Sequence, residues 1–246
     1  MKCLILAAGY ATRLYPLTEN FPKPLLKVRE KAILDWLMDD LTGNARIEEY
    51  LVVSNHRFAD HFRAWANGRP EKITVVDDGT VSNETRLGAV RDIQLAVEQT
   101  KTDTDLLVLA GDNVLDFSLG NFLRYAEEKQ ATCLLRYAEP DCERLHKCGV
   151  LTVDETDRVT SMEEKPAEPK SNWCCPPFYF LKREDLRRVG EAINAGCGID
   201  APGSLFAWLS AKVPVFAMEM PGKRYDIGNL ESYETVQKIY RGIQQV

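Results

Sequence analysis

Leu6-Ala7-Ala8-Gly9-Tyr10-Ala11-Thr12-Arg13-Leu14, followed by Pro22-Lys23-Pro24, is the stretch around which the rest of the chain is organised. Residues 2–7 lead into it as a short aliphatic run, the mark of a buried first strand. The run breaks at Ala8-Gly9, where small side chains permit a tight turn and a close approach of backbone to a ligand. Thr12 and Arg13 then set a hydroxyl, backbone N–H groups and a fixed cation beside that turn. Consecutive N–H groups form an anion nest and a guanidinium takes phosphate oxygens in pairs, so the concavity suits a polyphosphate. Lys23 stands between two prolines, which stiffen the loop that presents its ammonium.

Neither G-x-G-x-x-G around Gly9 nor G-x-x-x-x-G-K-[ST] anywhere occurs, so the dinucleotide and P-loop fingerprints do not apply. Further along, apolar spacing predicts helices over residues 31–41, 57–66 and 84–99, and strands over Glu49–Ser54, 72–76 and 105–110. Strands and helices alternate to residue 110, which argues for a doubly wound, mainly parallel α/β sheet with ligands at the carboxyl ends of its strands. Ala8-Gly9 and Gly111-Asp112 both lie at such ends. Beyond residue 117 the pattern changes. A helix over 118–129, strands over 132–137, Gly149–Val153, 159–163, Phe178–Leu181 and 213–218, and helices over 183–195 and 232–245 are expected, with 154–157 turning a hairpin. One domain over residues 1–246 follows, residues 1–117 carrying the polyphosphate-suited loop and 118–246 forming a smaller, substrate-binding lobe.

The 246 residues carry a formal net charge of −6, which argues against a nucleic-acid partner. No apolar stretch approaches the length of a membrane span, and no leader pattern opens the chain. Seven scattered cysteines read as reduced thiols in a cytoplasmic protein. Cys142, His146 and Cys148 have no zinc spacing, and His56 and His61 read as helix-surface residues.

Two acidic positions draw notice. Asp112, just past a strand and after a glycine, can give Mg²⁺ a hard oxygen ligand or simply form an Asx turn. In Tyr225-Asp226-Ile227-Gly228-Asn229, Asp226 reads in isolation as a turn residue. Ser161-Met162-Glu163-Glu164-Lys165-Pro166 reads as a charged sheet edge. Asn83 and Gly88 read as loop residues ahead of a helix.

Taken as a string, A-A-G-x-A-T-R-L with P-K-P-L-L resembles the signature of the sugar-1-phosphate nucleotidylyltransferases (nucleotide-sugar pyrophosphorylases), including glucose-1-phosphate thymidylyltransferases. The resemblance runs from residue 1 to about 236, with Ala11 standing where the family has a second glycine. It implies the nucleotide-diphospho-sugar transferase fold, and a catalytic set of Arg13, Lys23, Asp112, Lys165 and Asp226. Leu6, Ala7, Ala8, Gly9, Ala11, Thr12, Arg13, Lys23, Asn83, Gly88 and Asp112 would line the nucleotide. Gly149, Glu164, Lys165 and Tyr179 would hold the sugar phosphate, and Asp112 with Asp226 would bind Mg²⁺. The implied reaction joins an NTP, with a pyrimidine favoured through the Asn83 amide, to a sugar-1-phosphate and releases pyrophosphate. Its nucleophile is a phosphate already anionic at neutral pH, so no general base is needed. A cytidylyltransferase acting on a non-sugar phosphate such as phosphocholine, and a regulatory homologue that binds nucleotide sugar without turnover, stay open as alternatives. So does a homo-oligomer. The length leaves no room for the β-helix domain that some relatives append.

Overall fold

A computed structural model describes residues 1–243, whose contacts gather into two compact units. Among the described residues the first unit comprises Met1–Arg86, Ala110–Gly120 and residues 221–243, and the second Leu87–Leu109 and Asn121–Met220.

In the first unit the strands Lys2–Leu6, Glu49–Ser54 and Ile73–Asp77 pair in parallel, with Leu4 opposite Leu51 and Leu51 opposite Thr74. Every residue of Glu49–Ser54 is buried, which is why the strand reads as a continuous run with no alternation. The helices Ile33–Leu41 and Ala59–Ala66 connect these strands, and Ile33, Leu34, Leu37, Met38 and Leu41 are all buried. Ile33–Leu41 starts later than its spacing suggested because Lys31–Ala32 pairs with Lys27–Val28 as a short hairpin. Ala59–Ala66 likewise starts late, since Asn55 Oδ1 accepts the Phe58 N–H (3.1 Å) and holds a turn there.

The last segment of the chain belongs to this unit. Arg224–Asp226 pairs antiparallel with Asn113–Leu115, two short strands with no sequence signal. The helix Leu230–Ile239 follows, started by an Asn229–Ser232 capping box. It ends ahead of the predicted 245; residues 244 and 245 of that expectation lie outside the described residues. Tyr240 packs edge-on against Trp36 (5.2 Å between ring centroids) in a cluster with Leu14, Val28, Ile33, Val114, Ile227 and Val236. Its Oη donates to the Leu115 carbonyl at 2.7 Å, both residues being buried.

The second unit is a mixed sheet with helices. Phe178–Leu181 pairs antiparallel with Leu106–Ala110 on one side and Thr132–Ala138 on the other. Thr132–Ala138 also takes Val215–Glu219 in parallel and Trp173–Cys175 antiparallel. Trp173–Cys175 continues to Gly149–Val153, which forms the expected hairpin with Val159–Glu164. The predicted helix over 84–99 divides into a 3-10 turn, Asn83–Thr85, which belongs to the first unit, and the α-helix Ala89–Gln99 of the second. Gly88 between them has φ +90°, where a side chain would be strained, and a Cβ there would lie 2.6 Å from the Ile199 carbonyl oxygen. The helix over 183–195 divides in the same way, into Arg183–Asp185 and Arg188–Asn194. Gly203–Ser210 is a helix the spacing did not reveal; it buries Leu205, Phe206 and Leu209.

One cysteine expectation is corrected. Cys148 and Cys174 form a disulfide with their Cα atoms 6.2 Å apart, because Gly149–Val153 and Trp173–Cys175 are neighbouring strands with Cys174 opposite Val150. Sequence spacing cannot show such a pairing, since 26 positions separate the two residues.

Tyr240→Phe should keep the fold but orphan the Leu115 carbonyl, lowering stability by about 1–2 kcal/mol. Urea denaturation of the two proteins, compared at the midpoint with an unchanged slope, measures this.

Candidate functional site

In the first unit the quoted stretch leaves its strand as a loop clamped from below. Asn55 Nδ2 donates to the Ala8 carbonyl (3.0 Å), Thr18 Oγ1 to the Ala11 carbonyl (2.8 Å), and Tyr10 Oη meets Thr80 Oγ1 (3.1 Å). Ala11 has φ 48° and ψ 40°, the left-handed conformation that ordinarily favours glycine. That conformation turns the chain into the short 3-10 helix Thr12–Leu14, closed by the Leu14 N–H to the Ala11 carbonyl (2.9 Å). Among the described residues, the N–H groups of Gly9, Ala11, Thr12 and Arg13 donate no internal hydrogen bond. No atom comes within 4 Å of where a Cβ of Gly9 would stand, so no neighbour demands a glycine there. Thr12 and Arg13 are exposed. The loop therefore offers unused donors and a cation to an anion.

Asp112 is brought beside this loop by Gly111, whose N–H donates to the Leu6 carbonyl (3.0 Å) and whose Cβ position lies 3.1 Å from Ile5 Cγ2. Lys23 Nζ donates to Asp112 Oδ2 at 2.7 Å, and Asn113 Nδ2 to Asp112 Oδ1 at 2.6 Å. Arg224 Nη1 in turn donates to Asn113 Oδ1 (2.7 Å) and stands 4.0 Å from Asp226 Oδ1. Burial would push the Asp112 carboxyl up, but the Lys23 ammonium, with Arg224 beyond it, holds it below the usual carboxylate range. A second carboxylate close by would by itself raise a pKa. For Asp112 the opposite holds, because these two cations flank the pair.

Asp226 lies opposite Asn113 in the strand pair, and the Ile227 N–H donates to the Asp112 carbonyl at 3.3 Å. The two aspartates are thus adjacent although 114 positions separate them in sequence. Their side chains keep 38% and 53% of their surface open. Two partly open carboxylates form the hard oxygen set that Mg²⁺ takes together with phosphate oxygens, so these residues fit that ion. Asn83, also in this unit, sits in the 3-10 turn and accepts from Arg86 Nη1 through its backbone carbonyl (2.9 Å).

The second unit holds the other predicted residues. Gly88 packs its backbone against Ile199, and the Val90 N–H donates to the Ile199 carbonyl at 3.0 Å. Glu164 closes the strand Val159–Glu164 opposite Gly149, and Lys165 follows with φ 52° and its N–H bonded to the Cys148 carbonyl (3.0 Å). Lys165 is exposed and Glu164 half-buried. Burial pushes the Glu164 carboxyl up, with Lys165 pulling it back. Tyr179 is 2% exposed and stacks on Phe206 (centroids 3.9 Å, 5° between planes), so it is a wall and not a free face. Gly203 adjoins both, its Cβ position being 2.1 Å from Glu164 Oε2 and 3.4 Å from Tyr179 Oη.

Sequence reading missed Asn55, Asn113, Arg224 and Gly203. Asn113 follows Asp112 directly and Arg224 stands two residues before Asp226, so a search for amides and cations flanking the acids would have found both. Asn55 and Gly203 carry no local signal.

A family model described as nucleotidyl transferase matches residues 2–242. A UTP–glucose-1-phosphate uridylyltransferase of Haloferax volcanii is 29% identical over 182 residues, 73% of this chain and 71% of that protein. A protein of the same name from Synechocystis sp. is 25% identical over 244 residues, covering 95% of this chain; the chain spans 61% of that relative's length. A solved UDP-glucose pyrophosphorylase complexed with UDP-glucose matches with a TM-score of 0.81 at 19% identity, 97% of each chain being covered, which shows a shared α/β fold.

A carboxyl whose folded pKa is depressed contributes stability above its unfolded value, near pH 4, and loses it as pH falls through the folded one. Lys23→Met removes the main cause at Asp112. At about pH 7 it should cost roughly 1 kcal/mol, limited by the partial solvation of Asp112, and the difference should fade toward about pH 3. Denaturant titrations at both pH values check the sign.

Proposed function

This chain belongs to the nucleotidyl transferase family, and from that membership we propose that it joins an NTP to a sugar-1-phosphate, releasing pyrophosphate. The observation that carries this reading is the loop at Gly9–Arg13: donors with no internal partner and a cation, set beside a lysine and two adjacent aspartates. A triphosphate answers that arrangement in charge and in number of acceptors.

In this reading an oxygen of the sugar phosphate attacks the α-phosphorus of the NTP in line. The bond from that phosphorus to the bridging oxygen breaks, and pyrophosphate carries the electron pair away. The chain's task is to hold two anions together and to neutralise charge as it shifts onto the leaving group. Arg13 and the free loop N–H groups take the β- and γ-phosphates, and Lys23 the α-phosphate. Lys165 neutralises the sugar phosphate, and Glu164 accepts hydrogen bonds from sugar hydroxyls beside Gly149, with Tyr179 as the wall. Asp112 and Asp226 would hold Mg²⁺, which supplies charge neutralisation at the triphosphate. Asn83 pairs its amide with the edge of a pyrimidine, and Gly88 lines the nucleotide. In this reading residues 1–117 serve mainly the nucleotide and residues 118–246 mainly the acceptor, in the cytoplasm.

Pyrophosphate release, scored across the common NTPs against hexose-1-phosphates and phosphocholine, tests the reading. UTP with glucose-1-phosphate is the first pair to try, since two relatives carry that name. Turnover with a pyrimidine NTP and a hexose-1-phosphate is expected. A purine-only profile would overturn the role of Asn83; CTP with phosphocholine alone, or no release with any pair, would overturn the sugar reading.

Asp112→Asn and Asp226→Asn should each lower kcat by ~100-fold or more, the scale for removing a stabiliser of transition-state charge. The double variant should be little worse than either, and each should weaken Mn²⁺ binding in the absence of substrate. Fully multiplicative losses would separate the two aspartates.

A further inference from the structure

Glu164 ends its strand with a carboxylate to which no described residue donates a hydrogen bond, although the side chain is half-buried. Its Oε2 sits in a slot with a glycine on each side. A Cβ built on Gly149 would stand 2.9 Å from that oxygen, and one built on Gly203 only 2.1 Å from it. Neither glycine has a left-handed φ, so the backbone does not require glycine at either place. The space does.

A methyl group at residue 203 would have three nearest neighbours: Glu164 Oε2, Glu164 Cδ at 3.3 Å and Tyr179 Oη at 3.4 Å. Tyr179 is locked by its stack on Phe206, and Gly203 itself begins the helix Gly203–Ser210, which is anchored by three buried apolar side chains. The neighbour free to move is the end of the Glu164 side chain. A methyl there therefore displaces the carboxylate while leaving the helix and the aromatic stack in place.

We propose that Gly203 is a positioning residue for the acceptor: with Gly149 it opens the slot that points the Glu164 carboxylate at the hydroxyls of the sugar phosphate, and so sets acceptor selectivity. The proposal rests on the sugar-1-phosphate reading of this unit and adds to it a residue that touches no substrate. The raised pKa of Glu164, pushed up by burial and drawn back by Lys165, agrees with a half-buried carboxylate without protein donors.

Gly203→Ala should raise KM for the sugar phosphate by ~10-fold or more, the scale for losing a hydrogen bond to a charged group, with KM for the NTP unchanged. In a Glu164→Ala background the same substitution should be silent, because the group it displaces is gone. Multiplicative losses in the double variant, or an equal rise in both KM values, would overturn the proposal. Should Gly203→Ala fail to fold, Glu164→Ala should restore folding, and failure to do so would overturn it equally. A crystal structure of Gly203→Ala should show the carboxylate displaced by more than about 1 Å, the scale of a bond length; an unmoved carboxylate overturns the proposal whether or not any sugar phosphate is turned over. Absence of turnover in the wild-type protein, by contrast, bears on the functional reading alone.

Discussion

The contact between Lys23 and Asp112 is the interaction on which the first unit's chemistry depends. A carboxylate partly withdrawn from water is costly unless a cation or donor answers it. Here Lys23 takes one oxygen, Asn113 takes the other, and Arg224 turns the Asn113 amide so that its N–H₂ faces the acid. The consequence is geometric as well as electrostatic. A loop that leaves the first strand, a turn after Ala110 and the strand Arg224–Asp226 are tied at one point by residues 89 to 111 positions apart.

That tie also explains why the loop can keep its donors unused. Backbone N–H groups left without partners are tolerated where water or a ligand reaches them, as at the exposed Thr12 and Arg13. The loop holds its shape through its carbonyls instead: Ala8 and Ala11 accept from Asn55 and Thr18. Ala11 in a left-handed conformation carries a local cost of order 1 kcal/mol, the kind of strain that persists where surrounding contacts over-determine the backbone. A glycine at this position would adopt the same turn without a Cβ, which accounts for the resemblance to a pattern with glycine there.

In the second unit the controlling constraint is space and not charge. Gly149 and Gly203 bring two backbone segments against one carboxylate oxygen, while the buried Tyr179–Phe206 stack stiffens the wall beside it. The disulfide between Cys148 and Cys174 joins the two strands that carry Gly149 and its neighbour Cys175. Glu164 thus has its Oε2 between two glycine backbones, where a side chain on either would crowd it.

By itself the sequence was enough for the parallel strands and the helices packed between them, because aliphatic runs and helical spacing are local patterns that burial demands. It was also enough to mark the loop at Gly9–Arg13 as a concavity suited to an anion, whereas Asp226, Glu164 and Lys165 became candidates only through a family resemblance, since in isolation they read as a turn and a charged edge. What tertiary structure alone decided was partnership. The pairing of Arg224–Asp226 with Asn113–Leu115, the depressed pKa of Asp112, the disulfide and the slot around Glu164 all join residues distant in the chain. Their cause is proximity created by folding, and no local pattern of residues encodes the distance from Gly203 to Glu164. Helix starts were misjudged for a related reason: Lys31–Ala32 and Phe58 fit a helical stripe, but a hairpin and the Asn55 side chain claimed their backbone groups first.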